Sequence, residues 1–357
     1  VEIYGPVHAV CQGRNLSLAD GHDPRIQVEG FLAYQSSVLE GSNVRECYVN
    51  ASPTLYAEKL RHVSPILYKA AAQAWIDKEY PRHLFIELTA TCNLACNYCP
   101  RERIKQDMDF QLFRKIVDEA GRYGARSFSL HLFGEPLLYP KIIEAIHYIK
   151  QCHRGNTVLL TTNGTRLNDL IDPLLESRPD KIIWTWRPEA KFTPETKEKL
   201  RKWGKFQVRL IEEITPKEAM EEWGEWQPQE RKRLHNYGGN IDISRWRDNG
   251  TAGASDRWPC YHLWTAPAVA WNGDILICCN DPYHKEVIGH FPEMSVADAW
   301  RSDRLASIRA DHLRGQFRGI CKGCDVWKTY PNFFFKWQQK PAVKEPEPID
   351  WLPGVPT

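Results

Sequence analysis

The sequence predicts an α/β protein: a partial (β/α)6 barrel of the TIM type, with a small C-terminal cysteine-rich α+β domain and an N-terminal α+β extension. Three observations carry this. From about residue 82 onward, short apolar runs alternate with amphipathic segments of ten to fifteen residues, which is the mark of βαβ units and a parallel sheet. Five or six such units can be counted, short of the eight that close a barrel, so the sheet is expected to stay open. The cysteines gather in two knots, one directly after the first apolar run and one beyond the last.

Taken in order, residues 83–89 (HLFIELT) read as the first strand. Phe110, Phe113, Ile116, Val117 and Ala120 then recur at helical spacing, giving a helix over 110–123. Residues 127–133 form a second strand, and Pro140 opens a helix over 141–151. A third strand, 157–162, stops at the turn signal Asn163-Gly164. Strands at 181–186 and 206–214 are separated by helices at 167–175 and 194–203, and residues 240–246, with alternating isoleucines, offer a sixth strand. Residues 294–309 read as one further helix. The chain is thus expected to divide into an N-terminal extension over 1–80, a barrel over 81–250, a small unit over 251–330 and a tail over 331–357. The extension carries a strand-like run at 26–34 and a helical one at 55–75; residues 247–259 are a Gly/Ser-rich linker, and the tail is rich in proline.

Composition narrows the function classes. Lys and Arg number 47 against 45 Asp and Glu, so no net field points to nucleic acid or an anionic membrane. No apolar run approaches the roughly 20 residues of a membrane-spanning helix. The first residues lack the basic start and apolar segment of a secretory signal. Eleven cysteines is an odd number, which a fully paired disulfide framework does not accommodate. Close-spaced thiols without a secretory signal read as metal ligands, and the expected compartment is the reducing cytoplasm.

The first knot, Cys92-Asn93-Leu94-Ala95-Cys96-Asn97-Tyr98-Cys99, has the spacing C-x3-C-x2-C. It follows strand one, at the end of a barrel where enzymes place their chemistry. Three thiolates on one loop can hold three irons of a [4Fe–4S] cube and leave the fourth open, whereas structural zinc prefers four protein ligands. In this knot the chain resembles the radical S-adenosylmethionine (SAM) superfamily, whose defining motif is CxxxCxxC after the first strand. Further positions follow in order. Gly134-Glu135-Pro136 stands where that family has Gly-Gly-Glu, although Phe133 replaces the first glycine. The resemblance implies that this segment binds the methionine amino group. It also implies that Asn163 meets the ribose or methionine, that Thr185 offers a hydroxyl and Arg187 a partner for the carboxylate, and that Tyr98 touches the adenine.

The second knot comprises Cys260, then Asn272-Gly273 flanked by apolar residues, Cys278, Cys279, and Cys321-Lys322-Gly323-Cys324. Asn-Gly in that setting is a strong hairpin signal. Four thiolates from a hairpin and a CxxC loop suit a zinc ribbon or a fully ligated cluster equally. The order of cysteine, hairpin with G-x4-C, helix and CxxC is similar to the C-terminal extension called SPASM, or twitch in its shortened form. No cysteine follows Cys324, so the twitch form, with one auxiliary [4Fe–4S] cluster on Cys260, Cys278, Cys321 and Cys324, is the one resembled. Cys278 and Cys279 compete for one ligand position; the leftover Cys279 reads as a buried thiol or as a hydrogen-atom donor. Cys152, at a helix end, reads as structural, and Cys11 and Cys47 receive no role.

The resemblance implies reductive cleavage of S-adenosylmethionine and hydrogen abstraction by the 5′-deoxyadenosyl radical. The outcome is dehydrogenation or epimerisation of a small molecule of the sugar or aminocyclitol type, with an Arg or His acting as proton acceptor in the former. It further implies a reducing partner such as flavodoxin or ferredoxin. An alternative is epimerisation or crosslinking of a ribosomal peptide. A reading of another class is a non-catalytic zinc- or iron–sulfur-binding regulator in which both knots are structural.

Overall fold

The computed structural model describes residues 8–11 and 14–17, and residues 79–326 apart from 103, 225, 227–228, 245, 247–256, 258–259 and 261. The expected elements at 26–34 and 55–75, the tail over 331–357, Cys47 and nearly all of the linker lie outside the described residues. Strands β1 (His8–Cys11) and β2 (Arg14–Ser17) pair antiparallel within one compact unit. All other described elements belong to a second compact unit, Lys69–Thr329.

That unit is built on six parallel strands in sequence order: β3 (His83–Ile86), β4 (Ser127–Ser129), β5 (Thr157–Thr162), β6 (Lys181–Thr185), β7 (Phe206–Ile211) and β8 (Gln229–Lys232). Between them run helices α1 (Phe110–Gly121), α2 (Ile142–Cys152), α3 (Leu167–Glu176), α4 (Pro194–Trp203) and α5 (Lys217–Glu222). Helix α1 starts where Asp109 accepts from the amides of Gln111 and Leu112, and α4 starts on Thr193, Pro194 and ends on left-handed Gly204. This is the expected (β/α)6 arrangement.

The strands alternate as a two-faced sheet must. Leu84, Ile86, Phe128, Leu130, Val158, Leu160, Ile182, Trp184, Phe206, Val208 and Leu210 join one core with the helices. The intervening residues point to the other, inner face, among them His83, Ser129, His131, Thr161, Gln207 and Arg209.

The sixth strand differs from expectation. It is Gln229–Lys232 (QERK), paired in parallel register from Val208↔Gln229 to Ile211↔Lys232. Residues 240–244 and 246 form turns and irregular backbone instead. Their alternating isoleucines suggest a strand, but Ile241 and Ile243 pack with Tyr98, Ile211 and Leu234 in a second small core. Side-chain burial, not a ladder, explains the alternation. The helix expected over 294–309 is two helices, α7 (Val296–Arg301) and α8 (Asp303–Leu313). Ser302 ends the first and caps the second, accepting from the Leu305 amide.

The cysteine-rich segment does not stand apart. After the short α6 (His262–Thr265), β9 (Ala268–Val269) pairs parallel with β3, then antiparallel with β10 (Asp274–Leu276), which pairs with β11 (Val287–His290). One nine-stranded sheet results, ordered β11-β10-β9-β3-β4-β5-β6-β7-β8. Gly273 turns the β9–β10 hairpin at φ 95°, as the Asn-Gly signal requires. The buried Glu119 of α1 accepts from the amides of Val296 and Ala297, tying α7 to the barrel's helical layer.

Candidate active site and cysteine centres

The carboxyl end of β3 leads straight into the first cysteine loop. Thr89 fastens its start, accepting from the Thr91 amide at 3.0 Å and donating to the Gln106 carbonyl at 3.2 Å. Arg101 reaches back to the carbonyl oxygens of Cys92 (3.2 Å) and Leu94 (2.9 Å), a fork that holds the loop in one shape. Cys92, Cys96 and Cys99 are all partly exposed. Burial pushes the thiols of Cys92 and Cys99 up, and charge on Cys96 adds to both shifts. Three partly exposed thiols on one loop are a donor set that suits a three-ligand iron–sulfur site.

The Gly-Glu-Pro segment is strapped to this loop. The Glu135 amide donates to the Thr91 carbonyl at 2.8 Å. Gly134 admits no side chain: a Cβ there would lie 1.8 Å from the Thr89 carbonyl oxygen. The Glu135 carboxylate, 3% exposed, accepts from Thr162 Oγ1 (2.6 Å), the Asn163 amide (2.7 Å) and the Leu137 amide (3.2 Å). Burial outweighs these three donors and raises its pKa to about 7. Pro136 opens the 3-10 turn that follows.

Asn163 completes the bridge. Its Nδ2 donates to the Cys92 sulfur at 3.8 Å and to Asn93 Oδ1 at 3.0 Å. The ends of β4 and β5 and the cysteine loop therefore form one hydrogen-bonded patch at the carboxyl ends of the strands.

Arg187 and Tyr98 meet on another side, the guanidinium carbon 5.0 Å from the ring centroid. Tyr98 is 8% exposed and burial pushes its hydroxyl up. Thr185, at the end of β6, is buried.

Sequence reasoning did not single out Arg101, although a cation two residues past the last cysteine was its available signal. It also missed the inner-face histidines. His83 Nε2 lies 2.9 Å from Ser129 Oγ, and His131 Nδ1 accepts from the Thr161 amide at 3.2 Å. Burial holds His83 down to about 4 and both His131 and His262 to about 3, so all three are neutral imidazoles at pH 7 and weak proton acceptors.

The second centre is a cavity lined by Cys260, Cys278, Cys321 and Cys324, together with Arg257 and His262. Cys279, the neighbour that competed with Cys278, does not line it. Burial, then mutual charge, pushes Cys260 and Cys278 well above the ordinary thiol range, and four thiols lining one cavity are a donor set that suits a fully ligated iron–sulfur cluster. The CxxC loop is clasped by the segment after β8. Asn236 donates from its amide to Asp325 Oδ1 (3.0 Å) and from Nδ2 to the Gly323 carbonyl (2.7 Å), and the Asp325 amide donates back to Asn236 Oδ1 (3.2 Å). Cys152 lies far from both centres in the chain, its sulfur 3.6 Å from Asp118 Oδ1. No described helix is long and apolar enough to cross a membrane.

Residues 86–183 match the model of the radical SAM superfamily, and residues 260–325 match SPASM, an iron–sulfur cluster-binding domain. Among curated proteins, the chain is 33% identical over 109 residues to the tungsten-containing aldehyde ferredoxin oxidoreductase cofactor-modifying protein of Pyrococcus furiosus, covering 29% of this chain and 30% of that protein. It is 34% identical over 100 residues to the GTP 3',8-cyclase of Chlorobaculum tepidum, covering 27% of this chain and again 30% of the relative. A match to the S-adenosyl-L-methionine-dependent 2-deoxy-scyllo-inosamine dehydrogenase of Niallia circulans is 24% identical over 249 residues and covers 67% of this chain and 91% of that enzyme. The fold resembles BtrN in complex with AdoMet and 2-DOIA (TM-score 0.52, 22% identity, 68% of this chain and 92% of that one). It also resembles Streptococcus suis SuiB bound to precursor peptide SuiA (TM-score 0.51, 16% identity, 87% and 85%). The chain thus contains a segment of the radical SAM type over residues 86–183 and an iron–sulfur cluster-binding segment of the SPASM type over residues 260–325.

Proposed function

We propose that this chain is an oxidoreductase that removes hydrogen from a small polyhydroxylated molecule of the sugar or aminocyclitol type and oxidises it. Cys92, Cys96 and Cys99 would hold one [4Fe–4S] cluster, and Cys260, Cys278, Cys321 and Cys324 a second. When bound, these groups supply a 5′-deoxyadenosyl radical from S-adenosylmethionine at the first site and an electron acceptor at the second.

The observation that carries the reading is the contrast between the two sets: three partly exposed cysteines on one loop, and four lining one cavity with Cys278 and Cys321 buried. Four protein ligands leave no position for substrate, so the second site is suited to electron exchange alone. A second centre that accepts electrons in the same protein as a hydrogen-abstracting site favours net oxidation. The match across 91% of the Niallia circulans dehydrogenase supports the same class of substrate.

The remaining residues bind and orient. Gly134 brings its peptide edge beside the cysteine loop for the methionine amino group. Glu135 and Pro136 fix that edge, Glu135 through Thr162 and Asn163. Asn163, bonded to Cys92, would meet the ribose or methionine, Thr185 would offer a hydroxyl, Arg187 would pair with the carboxylate, and Tyr98, stacked on Arg187, would touch the adenine. A reducing partner such as flavodoxin or ferredoxin would supply the first electron.

The test is anaerobic reconstitution followed by assay for 5′-deoxyadenosine and for a ketone product from aminocyclitols. The Cys92→Ala, Cys96→Ala, Cys99→Ala variant should form none. Persistent 5′-deoxyadenosine in that variant would sink the assignment.

Epimerisation is the second reading, and one observation favours it. Cys279 stands outside the four-cysteine cavity, and burial pushes its thiol up to about 12 against the pull of Lys232, so it keeps its S–H at pH 7. In deuterated water, Cys279→Ala should then abolish deuterium uptake into product; retained uptake rules the thiol out as donor.

A further inference from the structure

The four-cysteine cavity contains a cation that sequence spacing did not mark. Arg257 stands three residues before Cys260 and lines the same cavity. Its guanidinium donates through Nη1 to the Lys322 carbonyl (3.0 Å) and through Nη2 to the Cys321 carbonyl, both in the CxxC loop. The guanidinium carbon lies 3.9 Å from the centroid of the Phe317 ring, which seats it from the other side. Two directional hydrogen bonds and a stacked ring fix the charge in place, where a lysine on a flexible stem would wander.

Its charge acts on Cys324, Cys321 and Cys260. Lys232 is another cation nearby, and its charge falls on Cys279, which does not line the cavity, while His312 accepts from the Cys260 amide at 3.3 Å. Asp281 and Glu286 act on Cys321, and Asp325 on Cys324, in the opposite sense. Among the described residues lining the cavity, Arg257 is thus the positive charge facing the thiols.

We infer that Arg257 sets the reduction potential of the cluster held by Cys260, Cys278, Cys321 and Cys324, its fixed guanidinium favouring the reduced form. This rests on the ligand set proposed above. A four-thiolate [4Fe–4S] cluster is already anionic, and adding an electron deepens that charge inside a poorly solvated cavity. A cation held at the cysteine loop offsets the increment, since net charge and hydrogen bonding are among the levers on such potentials. The cluster then takes an electron more readily, as oxidation of a substrate radical requires.

The experiment uses the full chain with Cys92, Cys96 and Cys99 replaced by alanine, reconstituted anaerobically so that only the second cluster is present. Its midpoint is read by potentiometric titration with electron paramagnetic resonance detection. Arg257→Gln keeps hydrogen-bond donors but not the charge, and Arg257→Lys keeps the charge but not the fork. In Arg257→Gln the ratio of reduced to oxidised cluster at fixed potential should fall about tenfold, a downward shift of 59 mV for one electron. Arg257→Lys should stay within about threefold of the parent. An unchanged midpoint in Arg257→Gln, at equal iron content, overturns the inference while leaving the ligand set intact. Should Arg257→Gln fail to retain iron, Arg257→Lys decides: a full tenfold fall there overturns the role of charge, and a near-parental midpoint supports it. A parent that binds no iron overturns the ligand set itself, and the inference with it.

Discussion

Glu135 shows how one buried side chain can be read from its neighbours. Its carboxylate receives three hydrogen bonds, yet its pKa rises to about 7 because dehydration costs more than those donors return. Below the ordinary carboxylate value both folded and unfolded chains bind the proton. Between 4.5 and about 7 the folded chain holds it more tightly, so stability falls as pH rises through that window and is level above it. Glu135→Gln should remove this slope. It should also cost about 1–3 kcal/mol, because the new NH2 group opposes either the Asn163 amide or the Thr162 hydroxyl. Thermal unfolding of the reconstituted protein from pH 5 to 8 measures both; an unchanged slope in the variant would mean that another group titrates.

At the scale of the element, β6 serves the site from the helical side of the sheet. Trp184, 1% exposed, packs against Phe192, Trp223 and Phe206, and its Nε1 donates to the Asn163 carbonyl at 3.0 Å. Gly164, at φ 83°, leaves room for the indole, since a Cβ would come within 2.5 Å of Nε1. Trp184→Ala should cost about 3–5 kcal/mol by leaving a cavity. Trp184→Phe should cost about 1–3 kcal/mol, mostly by orphaning the Asn163 carbonyl, and should loosen the Cys92 contact. Denaturation midpoints separate the two, and equal costs would show that the lost hydrogen bond, not packing, decides. Such support was partly legible. The Asn163-Gly164 turn and the cysteine spacings were readable because turn chemistry and metal ligation are local in sequence. Strand β8 was not, because QERK joins the sheet by backbone pairing with no apolar period to betray it. The anchoring of Glu135 by Thr162 and Asn163 and the reach of Arg257 to Cys321 also escaped notice, since residues 27, 28 and 64 positions apart meet only after folding.

For the whole molecule, the sequence suggested a barrel and a separate cysteine-rich unit. The strands instead join one sheet: the Glu87 amide donates to the Val269 carbonyl at 2.9 Å, and Trp300 of α7 lies in the barrel's core. The two regions should therefore open together. Amide protons of β3 and β10 should show native-state exchange protection within about tenfold of each other, and much faster exchange in β10 would mean that the cysteine-rich segment opens alone.

The clasp between Asn236 and the Gly323–Asp325 backbone gives this shared architecture a direction. It spans from the loop leaving the last parallel strand to the loop bearing Cys321 and Cys324, so neither can shift without dragging the other. Removal of iron from the centre proposed on Cys260, Cys278, Cys321 and Cys324 should therefore be felt beyond it, as slack in the segment that follows the last parallel strand.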